Sequence, residues 1–558
     1  MGKLTTKVLI ISLDGATFDV ICPLARQDYM PNLARIMEDG PVAELESVIP
    51  PVTAPAWTSF MTGKNPNKHG IFDFTRFDVE HYDWKINNSQ HIRSKTIWTV
   101  LSEHNKKVIV VGLPYTYPPY AINGAMVAGW DAPSMSAFTY PDELGKEILQ
   151  VIPDYGSSSE LSLWNHIPAD SDQEFTGFLD KLARSFEESA ILASHLLRSR
   201  EWDVFMAHFQ QTDWIQHKLW GYIERACRER ENKQSRLEQV RQCYRAFDHH
   251  LGKLLAASDP FSPLRIVLSD HGFGSNRGTI CPNYILSRLG YYHLKPQLSS
   301  TLKGSFKHSR VPAVRSLYRG LREVRNVFHG RQIVKQYKNW ADFANEAVPG
   351  EKGRVDWQRT KAAFIGGSEA GFIFINVKGR GPWGCVEAGK EYEDVLSRIV
   401  TACSELTDLN GQKVFPRVAP GSEIYSDPGN GVLLPDVVLV PVEGYVVGAG
   451  LSDAFIPANG DKGNHRHNGI LLLQGAEVNR NLRGFHPNLI DLAPTILHAL
   501  GLPVPIDMDG SVLGEVFADR RPVLFEEVDN SSVLKARDYD EPESKIINQR
   551  LKALGYLE

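Results

Sequence analysis

Apolar residues cluster in short, nearly unbroken runs. Residues 7–13 (KVLIISL) form the first, and it stops at Asp14-Gly15. Similar runs occupy 108–112, 203–209, 265–270, 437–441 and 469–475. A run of this length with no polar alternation predicts a strand buried on both faces, the usual state in a parallel sheet. Between them the spacing changes to three and four. Residues 30–40 carry Leu33, Ile36 and Met37 at helical spacing, with Pro31 near the start and Gly40 as a stop. Longer helical patterns cover 173–199 and 232–256. Strands alternating with helices predict an α/β fold with a doubly wound, mostly parallel sheet. Ligands of such sheets sit beyond the carboxyl ends of the strands.

One segment breaks the pattern. Between 301 and 340 there are ten Lys or Arg residues and a single acid, Glu323. Val311, Val314, Leu317, Leu321, Val324 and Phe328 recur at three and four, which predicts a basic amphipathic helix. The expected organisation is a main α/β sheet domain over 1–295 and 346–520, interrupted by a basic helical insertion at 296–345. A tail with a short helix is expected at 521–558. The helix at 310–338 suits a lid over a cleft, peripheral contact with anionic lipid, or a plain solvated face.

Composition narrows the class. The chain has 558 residues, 42% hydrophobic and 23% charged, as in an ordinary globular protein. A net charge of −5 provides no overall basic field for nucleic acid. The six cysteines are scattered with no C-x-x-C pair, against a zinc finger or disulfide framework and in keeping with a reducing compartment. The N-terminal apolar run is too short for a signal peptide, and no window has the length of a transmembrane helix. The expected location is the cytoplasm. Gly2 and Thr6 have the spacing of a myristoylation signal, a match that chance accounts for.

Chemistry concentrates at the ends of the apolar runs. Asp213 and His217 are four apart, so a helix would place them on one face, where they can share a divalent cation. Taken alone, a plain surface Asp–His pair is the favoured reading of them. Asp270 and His271 are adjacent at the end of a run entering a loop with Gly272 and Gly274, whose freedom would let both point to one ligand. Asp14 ends the first run. His465 lies in a Gly-bounded loop before the last run; it is preferred to His467, which is nearer the strand. Three Asp and three His make two sites of three N/O ligands each, with one position on each left for Thr53 or substrate, a donor set that suits Zn2+. The stretch PPVTAPAWTSFMTG (50–63) holds Thr53 on a Pro-rich turn before a helical run. Its hydroxyl is a poor nucleophile at neutral pH unless a cation activates it. Two divalent cations bring four positive charges; three carboxylates and a threonine alkoxide bring four negative. Such a site is neutral and can accept a phosphate. A helix N-terminus at Thr53 would favour it further.

In order and spacing, LIISLDG, PNLARIMEDG, PPVTAPAWTSFMTGKNPNKHGIFDF, TDWIQH, SDHGF and GNHRHNGILLLQG resemble the alkaline phosphatase superfamily. The nearest branch is the type I phosphodiesterase/nucleotide pyrophosphatase group. The resemblance extends to 374–395 and 490–510. It implies an alkaline-phosphatase-like three-layer α/β/α sandwich with inserted segments. It also implies a metal-dependent hydrolase of phosphodiesters or pyrophosphates, acting on a small phosphate ester with two divalent ions, Zn2+ or Mn2+. It implies Thr53 as the nucleophile, phosphorylated during turnover. Asp14, Asp270 and His271 would hold the ion that activates Thr53, and Asp213, His217 and His465 the ion facing the leaving group. One position departs from the pattern. Nucleotide pyrophosphatases carry Asn three residues after the nucleophile, and here that residue is Ala56. A nucleotide substrate is therefore not implied. The Ala54 N–H can take the phosphoryl oxygen, and Trp57 can shape the pocket. Sulfatases place Arg where Trp57 stands and use a formylglycine that threonine cannot give; the phosphoglycerate mutase branch uses serine. Transfer to an alcohol acceptor, and a non-catalytic membrane-docking role, are the alternatives. Asn376, Lys378 and Arg380 are candidates for the distal part of a substrate. His69, His249, His250 and His498 are read as packing or hydrogen-bonding residues. Oligomeric state is not implied.

Overall fold

The computed structural model describes residues 7–135, 137–156, 171–230, 235–295, 355–408, 410–425, 432–451, 453–458, 462–528 and 537–554. The expected basic helix at 310–338 lies outside them.

Among the described residues, an eight-stranded sheet forms the centre. Its strands are β1 (Val8–Leu13), β2 (Val42–Glu46), β3 (Val108–Val111), β4 (Gly124–Val127), β5 (Thr139–Tyr140), β6 (Val204–Phe209), β7 (Leu264–Leu268) and β14 (Asn468–Gln474). The spatial order is β2-β14-β7-β1-β6-β3-β4-β5. The middle five, β7, β1, β6, β3 and β4, are mutually parallel. Every residue of β1 and β6 is buried, as their unbroken apolar runs require when helices cover both faces.

Two apolar runs take other places than the sequence suggests. The 469–475 run becomes β14, which runs antiparallel to both β7 and β2. The 437–441 run becomes β12 (Val437–Val440) and leaves the main sheet. It joins β9 (Ala362–Gly366), β10 (Gly371–Ile375) and β11 (Arg417–Pro420) in an antiparallel sheet of order β9-β10-β12-β11. This sheet has its own core, in which Ile373, Ile375, Val437 and Leu439 meet Val395 and Ile399 of the helix Lys390–Ser404. An apolar run reports burial on both faces; it does not report which strand lies alongside.

The helices include α1 (Pro31–Asp39), α2 (Thr53–Thr62), α3 (Asp172–Ser199), α4 (Gln211–Arg228), α5 (Ser235–Ser258), α6 (Lys390–Ser404) and α7 (Glu541–Leu554). α3 and α5 pack on the sheet through Phe186, which stacks between Phe209 at 4.4 Å and Phe247 at 4.6 Å. α2 is buried along its whole length. Its inward hydroxyls are satisfied within the helix, Thr58 donating to the Ala54 carbonyl and Thr62 to the Thr58 carbonyl, each at 2.8 Å. The C-terminal helix α7 docks on the main core through Ile547, Leu551 and Leu554.

Candidate active site

Each acid leaves the sheet where a parallel strand ends. Asp14 follows β1 directly, and Asp270 lies two residues past β7. Asp213 is in the first turn of α4, just beyond β6, with His217 one turn on. A helical repeat therefore does put the pair on one face, and His217 Nε2 lies 3.3 Å from Asp213 Oδ1. His465 arrives from another direction. It sits on the short strand β13 (Gly463–Arg466), which pairs antiparallel with β8 (Gly272–Ser275), Phe273 opposite His465. Gly272 permits that approach by lacking a side chain, since a Cβ there would stand 2.1 Å from the Asn468 carbonyl oxygen. The sequence suggests conformational freedom for this glycine; close packing is its actual role.

The six side chains and Thr53 converge. His271 Nε2 is 3.3 Å from Asp270 Oδ2, 3.7 Å from Asp14 Oδ1 and 3.4 Å from Thr53 Oγ1. His465 Nε2 is 3.4 Å from Asp213 Oδ1 and 3.0 Å from His217 Nε2. The ligating atoms of Asp14, Asp270 and His271 all lie within 4.8 Å of one another, as do those of Asp213, His271 and His465. His271 thus belongs to both groups, and its ring stacks on that of His465 at 3.7 Å. Asp14, Thr53, Asp213, Asp270 and His271 are all completely buried. His467 turns outward to Glu46, 3.5 Å away.

The carboxylates share a design. One oxygen of each is anchored by a neighbour: Asp14 Oδ2 accepts from the Trp57 indole N–H at 2.7 Å, Asp270 Oδ1 from the Gly15 N–H at 3.3 Å, and Asp213 Oδ2 from Gln210 Nε2 at 3.3 Å. The other oxygen of each faces the histidine Nε2 atoms. Asp14 Oδ1 and Asp270 Oδ2 receive no hydrogen bond although both are buried. Both imidazoles turn Nδ1 away from the aspartates, His271 in a hydrogen bond and His465 in a longer ion-pair contact. His271 Nδ1 turns to the Gly272 carbonyl at 3.1 Å and His465 Nδ1 to Glu369 Oε1 at 3.4 Å, leaving each Nε2 inward. Buried acceptors with no donor, facing inward imidazole nitrogens, fit divalent cations.

The electrostatics of the site point the same way. Burial, with the charges of Asp270 and Asp213 added, holds the Asp14 carboxyl well above its ordinary range. Burial raises Asp270 to about 8; His465 opposes the rise and Asp213 adds to it. For Asp213 burial pulls upward, but His217 and His465 outweigh it and hold the group low. Asp270 therefore holds a proton at pH 7 in the metal-free chain, and a cation bound there would have to displace it. Titration of the metal-free protein with Zn2+ at pH 7 is expected to release about one proton or more, with affinity weakening as the pH falls below about 8. Calorimetry in buffers of different ionisation enthalpy measures this; no release would mean the cation binds elsewhere.

Several contacts escape the sequence. Gln210 Oε1 accepts from Trp130 Nε1 at 3.0 Å and stands 2.9 Å from His208 Nε2, while His208 Nδ1 lies 2.9 Å from Ser12 Oγ. Burial lowers His208 to about 4, so it is neutral at pH 7. The adjacent Gln210-Gln211 pair before TDWIQH is the only hint of this in the sequence. Trp57 is not an open pocket wall: it is wholly buried, holds Asp14 and packs edge-on against Phe60 and His208. Ala56 and Ala54 are fully buried in the same turn. Asn376 and Arg380 are not brought to Thr53. The Asn376 amide donates to the carbonyls of Trp357, Thr360 and Trp383 and accepts from the Tyr82 hydroxyl. Arg380 pairs with Asp436 at 2.8 Å, and Lys378 with Glu387. His69 meets Ser59 Oγ at 2.8 Å, and burial lowers it to about 3.

A central parallel sheet with acids and histidines gathered at its carboxyl edge defines an alkaline-phosphatase-like α/β protein with candidate metal centres. The family model described as "Type I phosphodiesterase / nucleotide pyrophosphatase" matches residues 8–469, and the chain belongs to that family of phosphoric ester hydrolases. Phosphonoacetate hydrolase from Sinorhizobium meliloti 1021, in complex with phosphonoformate, shares the fold at 14% identity and a TM-score of 0.53, covering 89% of this chain and 96% of that one. Human ectonucleotide pyrophosphatase/phosphodiesterase 5 aligns at 13% identity and a TM-score of 0.47, over 92% of this chain and 100% of that one. No curated protein matches the chain by sequence. Among the described residues, no helix is long and apolar enough to cross a membrane.

Proposed function

We propose that the chain hydrolyses a phosphodiester or pyrophosphate bond through a covalent intermediate on Thr53. The observation that carries this is the place of Thr53 Oγ1, 3.4 Å from Nε2 of His271, which groups with Asp14 and Asp270 and also lies beside Asp213 and His465. Asp14, Asp270 and His271 would hold one divalent cation, and Asp213, His217 and His465 the other; Zn2+ and Mn2+ both suit these donors. Bound there, two cations would supply the positive charge that lowers the pKa of a hydroxyl and offsets the negative charge of a phosphate.

Thr53 is the first residue of α2. The opening N–H groups of a helix, that of Ala54 included, have no acceptor within it and favour a phosphoryl oxygen. Thr53 Oγ1 releases its proton and forms a bond to phosphorus as the bond to the leaving oxygen breaks, and that oxygen takes up a proton. Water then attacks the same phosphorus, the Thr53–phosphorus bond breaks, and Thr53 recovers its proton. Trp57 and Gln210 keep Asp14 and Asp213 in place throughout. With Ala56 in place of an amide, no side chain at that position reads the phosphoryl group, which favours a substrate other than a nucleotide.

The test is an acid quench during turnover of bis(4-nitrophenyl) phosphate, followed by peptide mass analysis. A 4-nitrophenyl phosphate adduct on Thr53 is expected. Product accumulating with the label on another residue, or with no label at steady state, would overturn the covalent route. Adding an alcohol acceptor separates hydrolysis from transfer, since only transfer yields the acceptor's phosphoester.

A further inference from the structure

Glu369 lies in the turn between β9 and β10 of the second sheet. Its side chain is 6% exposed, and Oε1 stands 3.4 Å from Nδ1 of His465. The opposite nitrogen of that ring faces Asp213 and His217. An imidazole that offers Nε2 to a cation must carry its proton on Nδ1. A carboxylate against Nδ1 selects that tautomer, fixes the ring's rotation and makes Nε2 more basic.

The turn is held from Gly367 to Glu369. The Gly367 N–H donates to Asp73 Oδ2 at 3.0 Å, and the Val447 N–H to the Ser368 carbonyl at 2.7 Å. Ser368 Oγ donates to Glu369 Oε2. Gly367 has φ +88, and a Cβ there would stand 1.9 Å from the Ala370 carbonyl oxygen, so only glycine fits. Burying a carboxylate is costly unless a partner compensates it. Here the partner across from Oε1 is a candidate metal ligand.

We propose that Glu369 is a positioning residue that sets the tautomer and orientation of His465, and through it the cation affinity of the Asp213–His217–His465 group. The inference rests on the metal-site reading above. The second sheet then contributes to the chemistry by delivering one buried acid to the back of a ligand held on the main sheet.

The test uses the full chain and Zn2+ alone, in competition with a colorimetric chelator. In Glu369→Gln, one of two Zn2+ ions is expected to bind about 10- to 100-fold more weakly, the other as in the wild type, with the metal-free melting temperature unchanged. Glu369→Asp keeps a carboxylate and is expected to lose less. Wild-type affinity at both sites in Glu369→Gln overturns the proposal, and so do equal losses in the two variants. If Glu369→Gln fails to fold, Glu369→Asp decides: a loss of about 100-fold or more despite its carboxylate overturns the proposal. A wild-type chain that takes up neither Zn2+ nor Mn2+ overturns the metal-site reading together with this one.

Discussion

Thr53→Ala is expected to lower kcat/KM for bis(4-nitrophenyl) phosphate by about 10⁴-fold or more, while both cations stay bound. Removing a nucleophile leaves only binding and electrostatic stabilisation, and such losses fall in that range in hydrolases acting through a covalent intermediate. The fold should tolerate the change. Thr53 opens α2 as its first residue, and alanine is a good helix former there. Thr58 and Thr62 still close their own hydrogen bonds further along. Steady-state kinetics beside metal analysis of the same sample provides the check. Wild-type turnover in the alanine variant would remove Thr53 from the reaction, whatever the metal content. Loss of metal together with activity would instead assign Thr53 to holding the cations.

The second large effect is expected at Trp57. The ring fills a fully buried site against Phe60 and His208, and its N–H is the donor that anchors Asp14 Oδ2. Trp57→Ala opens a cavity and should destabilise by about 3–5 kcal/mol. Trp57→Phe keeps most of the apolar volume but removes the donor from a buried acceptor, at about 1–3 kcal/mol. The two variants separate packing from orientation. If the N–H matters for chemistry, Trp57→Phe weakens metal binding out of proportion to its loss of thermal stability. Denaturant melts of the metal-free chain and Zn2+ competition measure the two effects; unchanged Zn2+ affinity in Trp57→Phe would reduce Trp57 to a packing residue.

What could be read from the chain follows the range of the interaction. Asp213 and His217 could be paired because a helix repeats every 3.6 residues and brings i and i+4 together whatever surrounds it. Asp14 and Asp270 could be placed because each ends a run that can only be a buried strand. The partners of these groups could not. Trp57 reaches Asp14, Glu369 reaches His465, and Gln210 spans Trp130 and Asp213, contacts that no local period encodes. Asn376 and Arg380 mislead for the converse reason. Polar residues at a strand end resemble a binding edge, yet theirs are consumed by Trp357, Thr360, Trp383 and Asp436 inside the second sheet.

Local order alone was enough to reveal an α/β chain, the strand ends that carry acids, and Thr53 on a turn before a helix, because burial and backbone period leave their mark on neighbouring residues. Folding decided the rest. It set the antiparallel course of β14, moved β12 to a separate sheet, gave His271 to both ligating groups and put Glu369 behind His465. Those outcomes depend on which distant surfaces pack together, and a strand's apolar run looks the same beside any partner.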